Sequence, residues 1–157
     1  RINPSTTGNT MYKKLLVATD GSTLSKKAVR SAVELAESLD AELVAVYVVP
    51  NYPVSYFEGG VTISTQEIAR TEKQWADQGQ AIVDAVKTSA EAKGLKAKAV
   101  IARSNLVAEA ILAAAKRHKC DLIVMASHGH RGLKRILLGS ETQHVLTHSS
   151  IPVLVLR

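Results

Sequence analysis

Short apolar runs alternate with longer amphipathic stretches along this chain, and that alternation restricts its fold more than any single motif does. Leu15-Leu16-Val17-Ala18 is apolar at every position, so a strand there has no face for water and belongs in a sheet covered on both sides. Leu24 to Leu39 follows, with Leu24, Ala28, Ala32, Leu35, Ala36 and Leu39 at helical spacing and Ser22 or Thr23 as N-cap. A β-branched run, Leu43 to Val49, stops at Pro50. Asn51 to Ser64 is polar, aromatic and glycine-containing, and reads as a loop or partly disordered chain. Thr65 to Lys93 carries Ile68, Trp75, Ile82 and Val86 on one helical face and ends at Gly94 as C-cap. Lys98 to Ala102 is the third predicted strand. Val107 to His118 is a helix with Asn105 as N-cap and Val107, Ala110, Ile111 and Ala114 inward. Leu122 to Ala126 is the fourth strand, Ser140 to His148 a short helix, and Ile151 to Leu156 the fifth strand.

Strand and helix in strict alternation predict an α/β fold, a single doubly wound three-layer sandwich on a five-stranded parallel sheet. A length of 157 residues suits one domain. Residues 1–10 have Ile2 as their one hydrophobic residue, and are expected to be a tag remnant or loose N-terminal arm before a domain spanning 11–157. Cys120 is the single cysteine, which excludes an intrachain disulfide and a four-cysteine zinc site and points to a reducing, cytoplasmic compartment. No apolar run approaches the roughly 20 residues of a membrane span. A net charge of +6 suggests an anionic partner: nucleic acid, an anionic membrane or a phosphorylated ligand.

In an open parallel sheet, ligands bind beyond the carboxyl ends of the strands, where strand order reverses. Small polar residues and glycines crowd two of those ends, Ala18-Thr19-Asp20-Gly21 after the first strand and Ala126-Ser127-His128-Gly129 after the fourth. Gly129 permits close backbone approach, and Gly139-Ser140 opens a helix whose first N–H groups favour an anion. Arg131, Lys134 and Arg135 add positive charge nearby. A ligand-free explanation stands beside this one: Ser140 with Gln143 makes a capping box, and Glu141 in the first turn suits an empty helix N-terminus. The chain contains no G-x-G-x-x-G after the first strand and no G-x-x-x-x-G-K-[ST], so neither a dinucleotide fingerprint nor a Walker-type loop is present.

The stretch Tyr12-Lys13-Lys14-Leu15-Leu16-Val17-Ala18-Thr19-Asp20-Gly21-Ser22 resembles the opening of the universal stress protein family. Ser127-His128-Gly129, nine residues, Gly139-Ser140 and then Ile151-Pro152-Val153-Leu154-Val155 resemble its closing half. The resemblance covers Met11 to Arg157 and implies a Rossmann-like, adenine nucleotide alpha hydrolase-like sandwich that binds ATP or AMP. The family's nucleotide-binding branch is similar in carrying G-x-x-G, nine residues, then G-[ST]. Gly129, Gly139 and Ser140 match that pattern, while Ala126 stands where its first glycine is expected. By the same matching, Ala18 and Thr19 would line the adenine, and Val48 would meet it through its backbone. Asp20 would sit near the ribose and a divalent ion, Mg²⁺ or Mn²⁺, carried with the nucleotide. Met125 and Ala126 would pass beneath the ribose and α-phosphate, with His128 and Arg131 beside the phosphates. Ser140, Glu141 and Thr142 would offer backbone or hydroxyl donors. The resemblance also implies a homodimer through the final strand, around Val153, Leu154 and Val155, and an exposed apolar edge strand invites such pairing.

Other chemistries are weaker on these residues. His144 and His148 share a helix face and His128 and His130 share a loop, but no H-E-x-x-H and no carboxylate cluster joins them. His128-Gly129-His130 echoes the histidine motif of nucleotidylyltransferases, yet lies after the fourth strand rather than the first. Tyr52, Tyr56 and Phe57 sit in a loop without basic residues, which suits a flap over the adenine or a dimer contact better than single-stranded nucleic acid. Asp20 is the one carboxylate placed to orient water, and the resemblance commits it to the ligand or metal. The expected function is a stress-response sensor or regulator that binds adenine nucleotide with slow or no hydrolysis. The alternatives are a slow ATPase and a nucleotide-independent interaction protein.

Overall fold

Five strands and four helices alternate in the computed structural model, which describes residues 11–53, 63–130 and 138–157. The strands are β1 (Lys14–Ala18), β2 (Glu42–Val49), β3 (Ala97–Arg103), β4 (Leu122–Ala126) and β5 (Val153–Leu156). The helices are α1 (Thr23–Leu39), α2 (Thr65–Glu91), α3 (Val107–Arg117) and α4 (Ser140–His148). Every strand pair is parallel and the sheet order is β3-β2-β1-β4-β5. The predicted fold class is the observed one, with strand order reversing between β1 and β4.

The continuous apolar character of β1 has the expected cause. Leu15 and Val17 pack among Ala32, Val33 and Ala36 of α1 and Val83, Val86 and Ala90 of α2. Leu16, on the opposite face, packs among Ala108, Ile111, Ala114 and Ala115 of α3 and Val145 of α4. All three β1 side chains are fully buried. Period-two alternation thus sends successive residues into two separate cores.

Three helices turn back into the sheet through the same hydrogen-bonded motif. After α2, Gly94 adopts a φ of +78°; its N–H bonds to Glu91 O and the Leu95 N–H reaches back to Ala90 O. Those paired bonds make a Schellman turn, which needs a left-handed residue and explains the glycine. The helix itself ends a few residues earlier than predicted. Asp40 (φ 52°) and Lys119 (φ 56°) do the same after α1 and α3 without glycine.

Helix starts depart further from expectation. Ser22 caps α1 as predicted, its side chain accepting the Ser25 N–H at 3.2 Å. α2 begins with a capping box between Ser64 and Glu67, a signal carried by Ser64-Thr65-Gln66-Glu67. Asn105 does not cap α3. Its Oδ1 accepts the Asn51 N–H at 2.8 Å instead, and Leu106 takes the N-cap position without a side-chain bond. Val107 and Ala110 are half-buried while Ala108 is buried, a small rotation of the inward face. The Ser140–Gln143 capping box does not form. Gly139 is the N-cap of α4, Ser140 is its first helical residue, and the Gln143 side chain donates to Leu138 O at 3.0 Å.

Candidate functional site

The β1–α1 and β4–α4 connections leave neighbouring strands at the carboxyl edge of the sheet, which brings Ala18, Thr19, Asp20, Met125, Ala126, His128 and Gly129 together at the switch point. Val48 joins them from β2. The Thr19 N–H bonds to Val46 O, whereas Val49 O turns toward β3 and accepts the Ser104 N–H. Alternate residues of a parallel strand face opposite neighbours, so the backbone groups of Val48 point, like those of Val46, into the lane beyond the end of β1. Arg131, Lys134, Arg135, Tyr56 and Phe57 lie outside the described residues.

Asp20 is the centre of this corner. Its Oδ1 accepts the Ser22 N–H at 2.9 Å and its Oδ2 accepts the His130 N–H at 3.0 Å. Half-burial pushes its carboxyl upward, but hydrogen bonds from Ser22, Ser25 and the His130 N–H outweigh it and hold the group below the usual aspartate value. Gly129 is required by this arrangement, because a Cβ there would overlap Asp20 Oδ2. His130 closes the contact from the other side, its Nε2 lying 2.9 Å from the Asp20 carbonyl. His130 was not among the predicted site residues, and its partnership with a residue 110 positions away leaves no local signal.

Thr19 is buried, and its hydroxyl serves the loop: it pairs with Ser25 Oγ at 3.1 Å and accepts the Gly21 N–H at 3.2 Å. His128 is half-buried, with Nδ1 lying 3.2 Å from Ser127 Oγ.

The start of α4 is fastened over the same edge. The Gly139 N–H bonds to Ser127 O at 2.7 Å, and the Thr142 hydroxyl donates to Ala126 O at 3.0 Å. Thr142 is therefore buried and its hydroxyl spent on β4, so of its two expected donors only the backbone N–H remains. Glu141 turns away from its own helix. Its Oε2 accepts the Ala108 N–H of α3 at 2.8 Å. A side-chain oxygen thus meets a first-turn N–H of α1, α2 and α3, while α4 has no side-chain cap. The first-turn N–H groups of Ser140, Glu141 and Thr142 find no acceptor among the described residues.

Among the described residues there is no group of three His, Cys, Asp or Glu that could hold a metal ion by protein ligands alone. His144 and His148 stack with ring centroids 4.2 Å apart, and His148 Nδ1 bonds to the His144 carbonyl. Tyr52 stacks on Trp75 of α2 at 5.9 Å and donates its N–H to Glu72, which fastens the start of the loop after β2 to that helix. None of the described helices is long and apolar enough to cross a membrane.

Comparison with known proteins agrees with this architecture. The model of the universal stress protein family matches residues 11–157. A universal stress protein of Methanocaldococcus jannaschii is 37% identical over 150 residues, 96% of this chain and 85% of that relative. The universal stress protein UspA from Lactobacillus plantarum superposes with a TM-score of 0.78 at 24% identity, covering 93% of this chain and 98% of the other. A family protein from Arabidopsis thaliana with AMP bound superposes with a TM-score of 0.64 at 18% identity, over 91% and 90% of the two chains. Family match, identity over nearly the whole length and strand order converge, and the chain belongs to the universal stress protein family.

Proposed function

We propose that this protein binds an adenine nucleotide, ATP or AMP, at the switch point between β1 and β4 and acts as a stress-response sensor or regulator with slow or no hydrolysis. The observation that supports the reading is the start of α4, where three first-turn N–H groups beside the tips of β1 and β4 find no acceptor among the described residues. The ligand-free explanation of Ser140 as half of a capping box has lost its support. The Arabidopsis family protein with AMP bound, which shares this fold, supports the choice of ligand class. In this reading Ala18, Thr19 and Val48 meet the base, Met125 and Ala126 pass beneath the ribose and α-phosphate, and Gly129, Gly139 and Ser140 meet the phosphates. Asp20 is ionised at neutral pH, its carboxylate held by the Ser22 and His130 N–H groups at the proposed site. That suits a Mg²⁺ or Mn²⁺ ion arriving with the nucleotide, whose phosphates would supply other oxygen ligands.

Binding is tested by denaturing purified protein and analysing the supernatant for adenine nucleotides, and by the thermal shift on adding ATP with Mg²⁺ or AMP. Gly139→Val should abolish that shift, since a Cβ there already meets His128 Cα and Ser127 O at 3.3 Å. An empty supernatant with no shift from either nucleotide would overturn the reading.

We further propose a homodimer through β5. It is an edge strand, and Leu154 is 39% exposed between the half-buried Val153 and Val155.

A further inference from the structure

Glu141 places a full negative charge in the first turn of the helix whose N–H groups are proposed to hold phosphate. Its carboxylate lies against the N-terminus of α3, 2.8 Å from the Ala108 N–H, and among the described residues no Lys, Arg or His nitrogen comes within 4 Å of it. The partial positive charge of a helix N-terminus, roughly half an elementary charge, offsets only part of it. Two consequences follow for an anion on α4. The carboxylate is tethered within one side-chain length of the Glu141 N–H, so it repels whatever negative charge that N–H attracts. It also occupies the neighbouring helix N-terminus, the position from which a second set of N–H groups could meet a more distal phosphate.

We infer that Glu141 sets how many phosphates this pocket accepts, favouring a nucleoside monophosphate over a triphosphate. The inference rests on the nucleotide reading above and gives it a preferred substrate class. A triphosphate carries about two more negative charges than a monophosphate near neutral pH, so the same carboxylate repels it more strongly. Bound Mg²⁺ cancels about two of those charges and should narrow the difference.

The test compares the full chain with its Glu141→Gln variant by isothermal titration of AMP, ADP and ATP, first without divalent ions at low salt. Glutamine keeps a carbonyl oxygen for the Ala108 N–H and removes the charge. The ratio of the ATP to the AMP dissociation constant should fall by about fivefold in the variant, with ADP intermediate. Raising salt or adding Mg²⁺ should shrink the difference in that ratio between the two proteins, and AMP binding by the variant reports that it is folded. Residues 131, 134 and 135 are the same in both proteins and drop out of the comparison. An ATP to AMP ratio unchanged by the substitution would overturn the inference while leaving nucleotide binding intact. Absence of binding by all three nucleotides in both proteins would overturn the nucleotide reading itself, and this one with it.

Discussion

Asp20 keeps its charge in a half-buried corner because backbone N–H groups from two different loops converge on its oxygens. Asparagine at this position would replace one of those oxygens by an amide NH2, leaving two donors facing each other. The sign of the pH dependence follows from the direction of the shift. A carboxyl held below its ordinary value in the folded protein contributes stability above the unfolded value, and loses it as pH falls through the folded one. Urea denaturation of Asp20→Asn should therefore show a lower midpoint than the unmodified protein at pH 7. The gap should close as pH falls below about 4. A gap that stays constant from pH 7 to pH 3 would show that the carboxylate's charge plays no part.

At the scale of elements, the pattern of buried residues was readable because it repeats locally, every two residues in strands and every three or four in helices. β1 illustrates it: three apolar side chains in sequence, each buried, alternating between two cores. Leu16→Ala should cost about 2–5 kcal/mol, read as a lowered denaturation midpoint, since a fully buried leucine leaves a cavity that a packed sheet cannot collapse to fill. The Schellman turns make a subtler case. Gly94 was legible as a helix stop because glycine advertises a left-handed backbone, whereas Lys119 adopts the same conformation with no such signal. Lys119→Gly should relieve the strain of a left-handed lysine, worth about 1–2 kcal/mol, against about 0.5–1 kcal/mol of added chain entropy. A melting temperature equal to or slightly above that of the unmodified protein is expected, and a clear decrease would refute the assignment.

For the whole molecule, β5 is the open question the sheet order raises, because its outer edge has no partner among the described residues. Leu154→Lys puts a charge at the centre of the proposed strand pairing while leaving the buried face of β5 untouched. Light scattering should then report a monomer where the unmodified protein is a dimer. Two equal masses would place the contact elsewhere or remove it.

The order of the elements and their layering were already written in the chain. Each of those follows from the spacing of apolar residues and from where glycine and small polar residues interrupt it. What only the tertiary structure decided is which polar group answers which backbone donor. Asn105 reaches Asn51 rather than its own helix, Glu141 caps α3 from α4 across 33 positions, and Asp20 is gripped by His130. Gly139, not Ser140, takes the N-cap of α4, and no side-chain cap forms there among the described residues. The physical reason is one of range. Burial is written in a period of a few residues, but a hydrogen bond is satisfied by any oxygen at the right distance and angle, and the fold brings such oxygens from anywhere in the chain.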